Sequence, residues 1–237
     1  MKITILETGK VPEHLAGQFD SYIDMFQTMF EAGGGGFAYE GVDVWGGADL
    51  PRPEDVEAVA ITGSPAGVYD DFAWLEPLRA FIRAVHAAGK PMLGICFGHQ
   101  IIADALGGDV RKSEKGWGIG RHHYGVLARP DFMADAPEVL AIACSHQDQV
   151  IVAPPEATVI LGSEFTPNAG LHYSNGRTLS FQGHPEFADD YAAALAEWRR
   201  GRIGEDVVET ALSSFAAASD SPLVSQYIVR FFRQSAE

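Results

Sequence analysis

An apolar run over Met92–Cys96 ends in Gly94-Ile95-Cys96-Phe97-Gly98, and a helical stretch over Ile101–Leu106 follows until Gly107-Gly108 stops it. Few local patterns restrict a fold as tightly. A strand that turns into a helix within one residue leaves no room for side chains on the flanks of the turn, which the two glycines accommodate. The apex residue sits on strained backbone and is thrown out at the carboxyl end of the sheet, where open α/β folds place their sites. Here that residue carries a thiol. The amides of Phe97 and Gly98 fall at the helix N-terminus, where the local field favours a thiolate or an oxyanion.

The flanking sequence supplies a sheet for this turn. Lys2–Leu6 reads as a buried strand, and Gln18–Glu31 sets Phe19, Tyr22, Ile23, Phe26, Met29 and Phe30 at a helical period. The run Gly33-Gly34-Gly35-Gly36 lacks the Lys-Ser/Thr of a phosphate loop and reads as a flexible connector. Phe37–Val44 and Val56–Thr62 read as strands, and Trp74–Ala88 as a helix stopped by Gly89-Lys90-Pro91. This alternation predicts an α/β fold, a parallel sheet covered on both faces. Short strands then follow at Gly120–Leu127, Ala141–Ser145, Val150–Val152, Thr158–Gly162, Ala169–Tyr173 and Thr178–Gln182, which suggests antiparallel additions. Beyond Glu186 the pattern is helical, at Tyr191–Arg199, Gly204–Ala216 and Leu223–Phe232. No repeat or compositional break appears, so residues 1–237 are expected to form one domain with a helical extension from about residue 188.

Charge excludes whole function classes. The 237 residues carry 17 Lys+Arg against 32 Asp+Glu, a net −15, and the densest basic stretch, Arg199-Arg200-Gly201-Arg202, is short. Nucleic acid and anionic membranes are therefore not expected as partners. The apolar start Met1–Leu6 stops at Glu7, too early for a signal peptide, and no window reaches the roughly 18 apolar residues of a membrane span. Two cysteines cannot make a disulfide framework, so the reducing cytoplasm is the expected compartment. Cys144, inside an apolar strand, reads as core filling.

A thiol nucleophile needs a base and a group to orient it. Among eight histidines, His14 and His86 lie on surface or amphipathic segments, His122-His123 and His172 on strands, and His99 on the helix side of the turn. These read as structural or solvated. His122-His123 has no third ligand at a metal-binding spacing, and neither metal nor cofactor is expected. His184 differs, because Gln182-Gly183-His184-Pro185-Glu186 places it at a strand end two residues from a carboxylate. In extended chain those two side chains point the same way, so Glu186 can hold one imidazole nitrogen while the other faces the thiol.

Gly-Ile-Cys-Phe-Gly-His-Gln with a downstream Gly-His-Pro-Glu resembles the class I, triad-type glutamine amidotransferases, and the chain order Cys, His, Glu agrees. The resemblance implies an open, mostly parallel, flavodoxin-like sheet. It also implies Cys96 as nucleophile, His184 as general base and Glu186 as its orienter. Ile61-Thr62-Gly63-Ser64-Pro65 looks like the family's oxyanion loop, so the amides of Phe97 and Ser64 would form the oxyanion hole, with Gly63 giving the loop its geometry. Ser145-His146-Gln147-Asp148 is similar to the Ser-His-x-Asp segment of GMP-synthase-type glutaminases; with Gln100 it would hold the amino-acid end of the substrate. Tyr69-Asp70-Asp71 and Gly116-Trp117 are further matches.

The implied reaction is hydrolysis of the γ-carboxamide of glutamine through a γ-glutamyl thioester. Residues 187–237 are too few for an ATP-pyrophosphatase domain, so the released ammonia would serve a separate synthetase subunit or simply be released. A second reading is a γ-glutamyl peptidase acting on glutathione-like amides, with Trp117 and Tyr69 as candidates to line the wider pocket. A third is a binding or redox-sensing module without turnover. The oligomeric state is not specified by the sequence.

Overall fold

The computed structural model describes residues 1–235. Side-chain alternation builds its central layer. In β1 (Lys2–Leu6), Ile3 and Ile5 face one core and Leu6 the other; in β3 (Ala58–Ile61), Ala58 and Ala60 oppose Val59 and Ile61. In β4 (Met92–Ile95), Leu93 and Ile95 oppose Met92. Strands that are apolar on both faces must be covered on both, as the period of two demands.

With β2 (Ala38–Val42) and β11 (Thr178–Phe181), these strands form a parallel array in the order β2-β1-β3-β4-β11, the flavodoxin-like order. The sheet continues in antiparallel pairing through β10 (Gly170–Tyr173), β9 (Ala157–Gly162), β6 (Gly118–Val126) and β7 (Val139–His146). Helices α1 (Tyr22–Ala32) and α7 (Ser221–Gln234) pack one face through Phe26, Phe30, Ile228 and Phe231. Helices α2 (Leu75–Ala87) and α3 (Phe97–Ala105) pack the other through Leu78, Ile82, Ile101 and Ile102. Three more helices, α4 (Asp189–Trp198), α5 (Arg200–Ile203) and α6 (Glu205–Ser214), cover the antiparallel end. The expected fold class stands: a mixed sheet, parallel at its centre, with helices on both sides.

Some boundaries differ from expectation, each for a local reason. Helix α1 starts at Tyr22 rather than Gln18, because the Ser21 hydroxyl accepts the Asp24 amide at 3.2 Å and caps it. Helix α3 starts at Phe97 rather than Ile101, because the turn sets its first residues before any apolar period shows. A two-stranded ribbon of β5 (Asp109–Lys112) and β8 (Asp148–Val152) stands apart from the main sheet; β5 carries no apolar alternation, so its sequence gives no strand signal.

The glycine run is not a flexible connector. The amides of Gly33, Gly34 and Gly35 donate to Met29, Glu31 and Phe30, and the Arg233 guanidinium donates to the Gly34 carbonyl at 2.6 Å. A Cβ on Gly33 would overlap the Ser225 carbonyl, so glycine there lets α1 and α7 meet.

The same crowding governs the turn after β4. A Cβ on Gly94 would lie 2.5 Å from the Gly98 carbonyl carbon, and one on Gly98 would overlap the Ile61 carbonyl. Both obstacles are backbone and cannot swing away. Gly98→Ala should therefore cost about 1–3 kcal/mol, read as a fall in Tm of roughly 2–4 °C per kcal/mol. Gly201→Ala, with nothing within 4 Å of its Cβ, should leave Tm unchanged or slightly raised; a Gly98→Ala protein melting like wild type would refute this account.

Candidate active site

Cys96 has φ 55° and ψ −102°, and no other described non-glycine residue has a positive φ. That conformation is costly for a residue with a side chain and persists only where the surroundings over-determine it. Here they do. The Cys96 amide donates to the Phe181 carbonyl at 2.8 Å, and its carbonyl accepts the Gln100 amide at 3.0 Å. The Gly98 amide donates to Thr62 at 3.2 Å, so of the two amides expected at this helix end it is already committed. The Phe97 amide donates to no group among the described residues and remains open beside the thiol.

Parallel pairing brings the second component alongside. Phe181 of β11 sits opposite Ile95 of β4, so the chain leaving β11 passes the thiol within three residues. The His184 amide then donates to the Ala143 carbonyl at 2.8 Å, and its Nδ1 lies 2.7 Å from Glu186 Oε1. Phe187 stacks on the imidazole, 3.9 Å between centroids and 9° between planes. Both side chains are inaccessible, His184 4 % and Glu186 1 % exposed. Burial alone would lower the His184 pKa; the Glu186 carboxylate and the Cys96 sulfur outweigh it and raise the pKa to about 10. The carboxylate and the sulfur thus favour the protonated imidazole.

The loop after β3 closes this corner. Thr8 Oγ1 donates to the Thr62 carbonyl at 3.0 Å, and the Thr8 amide donates to Thr62 Oγ1 at the same distance. A Cβ on Gly63 would lie 3.1 Å from His184 Cε1 and 3.7 Å from Cys96 Cβ. Gly63 is not in the left-handed region, and the bare position leaves room for the His184 ring. Ser64 lines both of the cavities that Cys96 lines.

Two cavities meet at Cys96. One, of 230 Å³, is bordered by Gln100 and by Ser145, His146, Gln147 and Asp148, so all five expected substrate-facing residues gather there. Several are internally committed. Gln100 Nε2 donates to the Asp148 carbonyl at 2.8 Å and to Gln182 Oε1 at 3.1 Å, and Ser145 Oγ accepts from Arg199. His146 is buried with Nδ1 on the Asp148 carbonyl at 3.1 Å; burial lowers its pKa to about 3 and keeps it neutral. Asp148 Oδ2 accepts the Tyr69 hydroxyl at 2.8 Å. Tyr69 and Trp117 both border this cavity. The other cavity, of 180 Å³, is walled by Tyr22, Phe187, Leu195 and Trp198 and is the one His184 borders.

Two contacts to this site were not read from the sequence. Gln182, fully buried, points Nε2 at Cys96 Sγ from 3.7 Å; its spacing of two from His184 on extended chain was the available signal. Arg199 borders both cavities, but its basic stretch reads only as surface charge. The remaining histidines stay outside: His14 lies tilted against Trp198, His122 lies against Phe165, His123 is exposed on β6, His99 Nδ1 meets Ser180 Oγ at 2.8 Å, and His86 and His172 lie near Tyr173 and Phe132. Cys144 is a buried free thiol whose pKa burial pushes up. Among the described residues no group of three or more His, Cys, Asp or Glu could hold a metal ion, and no helix is long and apolar enough to cross a membrane.

Known proteins resemble this chain in sequence and in fold. Residues 45–192, more than half of the chain, match the family Glutamine amidotransferase class-I. A glutamine amidotransferase-like protein of Schizosaccharomyces pombe is 27 % identical, with 97 % of each chain covered. Gamma-glutamyl peptidase 2 of Arabidopsis thaliana is 32 % identical, over 59 % of this chain and 58 % of its own. The glutamine-hydrolyzing GMP synthase of Mycobacterium bovis is 33 % identical over 67 % of this chain but only 31 % of its own. In fold, the chain superposes on a glutamine amidotransferase from Thermotoga maritima with a TM-score of 0.77 at 21 % identity, covering 99 % of this chain and 98 % of the other. The chain belongs to the class I glutamine amidotransferase family.

Proposed function

We propose that the protein hydrolyses γ-glutamyl amides, glutamine first among them, through a thioester on Cys96. The observation that carries this is the strained Cys96 beside a buried His184 fixed by Glu186 at 2.7 Å. The Cys96 thiolate attacks the γ-carbonyl carbon, and the amides of Phe97 and Ser64 receive the developing oxyanion. The His184 imidazolium gives its proton to the departing nitrogen, and ammonia or an amine leaves. His184, now neutral, takes a proton from water; the resulting hydroxide displaces the thiolate from the thioester, releasing glutamate. Ammonia would pass to a separate synthetase subunit or to solvent. A working thiol of this kind suits a reducing compartment such as the cytoplasm.

One observation favours γ-glutamyl peptides as a second substrate class. The cavity that His184 borders must take the leaving group, and its 180 Å³ far exceeds the roughly 10–15 Å³ that one water needs. Among relatives, both a γ-glutamyl peptidase and a glutamine-hydrolysing synthase occur by name. Turnover of γ-glutamyl dipeptides at least as fast as glutamine would decide for the peptidase.

Mass spectrometry of the protein quenched in acid during turnover should find the γ-glutamyl adduct on Cys96, absent in Cys96→Ala. An unmodified Cys96 with every γ-glutamyl compound, and no release of ammonia or amine, would leave a binding or redox-sensing role instead. Glu186→Gln should slow kcat on the order of 10²–10⁴-fold.

The same variant should move the pH profile. Glu186 is a principal group raising the His184 pKa to about 10, so removing its charge lets the proton leave at lower pH. The alkaline limb of kcat/KM should shift toward neutral. Stability follows the same sign: a raised histidine pKa adds stability that is complete below the ordinary value of about 6.5 and is lost as pH rises toward 10. Tm of wild type should fall across that window more steeply than Tm of Glu186→Gln; parallel curves would contradict the assignment.

A further inference from the structure

Arg199 and Arg202 both lie over the Trp117 indole, their guanidinium carbons 5.1 and 5.3 Å from the ring centroid. Arg199 is further fixed by Nη1, which donates to the Ser145 carbonyl at 3.3 Å and to Ser145 Oγ. Among the described residues neither arginine is paired with a carboxylate, whereas Arg200 between them is paired with Glu197, Glu205 and Glu209. The indole face attracts both cations, yet in a chain with 32 acidic and 17 basic residues neither has an acid beside it, and Arg199 is partly withdrawn from water. Such a pair is open to an anion, and a guanidinium fork matches the two oxygens of a carboxylate bidentately. Burial also lowers the Arg199 pKa, with the charge of Arg202 adding to the effect.

The position says which carboxylate. Trp117 and Arg202 border only the cavity that holds Gln100 and Asp148, and His184 borders only the other. Since His184 must face the departing nitrogen, the glutamyl backbone lies on the arginine side of Cys96. We propose that Arg199 and Arg202, held on Trp117, bind the free α-carboxylate of the γ-glutamyl group; the assignment rests on the γ-glutamyl reading above. Asp70 and Asp148 border the same cavity and offer partners for the α-ammonium. The site therefore selects a free amino-acid headgroup and rejects glutamine within a polypeptide, where that carboxylate is an amide.

Titration of Cys96→Ala protein with L-glutamate and with isoglutamine, its α-carboxamide, isolates this contact from turnover. L-glutamate should bind roughly 10- to 100-fold more tightly than isoglutamine, the range of a charge-assisted pair. Adding Arg199→Met should collapse that preference to under about threefold, with Arg199→Lys retaining part of it as a charge without the fork. Unchanged circular dichroism and Tm verify that the variants fold. Equal affinity for the two ligands, binding of neither, or a preference that survives Arg199→Met overturns the proposal. A Cys96 that no γ-glutamyl compound acylates refutes the thioester reading separately, because this titration involves no acylation.

Discussion

The left-handed backbone of Cys96 is the constraint on which the rest of the site depends. It can exist only because α3 presses directly onto β3 and β4, which requires Gly94 and Gly98 to be bare. The cost, of order 1–3 kcal/mol for such a conformation, is met by hydrogen bonds that tie the turn to three separate segments: Phe181 of β11, Thr62 after β3, and the first turn of α3. The thiol is thus positioned by the sheet rather than by its own loop. Its partner follows from the same sheet, since β11 pairs in parallel with β4 and delivers His184 at the same end.

Much of this was legible in one dimension. The apex turn, the His-x-Glu spacing and the strand–helix alternation are local patterns, and local patterns survive projection onto sequence. The bare position at Gly63 was legible as a residue but not as a reason: the space is needed by His184, 121 positions along, and only the fold places that ring there. The Gly33–Gly36 run misled for the same cause, because the α7 segment it packs against begins at Ser221. Strand β5, with its sequence Asp-Val-Arg-Lys, shows no alternation and is defined only by its pairing with β8.

Arg199 illustrates a different blindness. In sequence, Arg199, Arg200 and Arg202 are equivalent basic residues within one short stretch. Helical geometry separates them, sending Arg200 to three glutamates and turning its two neighbours onto Trp117. The net charge of −15 excludes a basic binding face but says nothing of a local cationic spot inside a pocket, where field depends on neighbours rather than on totals.

Helix α4 is fastened to the sheet by Arg121 of β6, whose wholly buried guanidinium pairs with Asp189 at the first turn of that helix. The far end of α4 carries Trp198 and ends beside Arg199, walls of both cavities. Thiol, imidazole and carboxylate all precede α4 in the chain. Besides the Arg121–Asp189 pair, Tyr191 and Leu195 of α4 pack with Ala143 and Phe187, so the helix is held by one buried ion pair and an apolar contact. A shift in how α4 is anchored would therefore move Trp198 and Arg199 against Cys96 while leaving Cys96, His184 and Glu186 on their own strand ends.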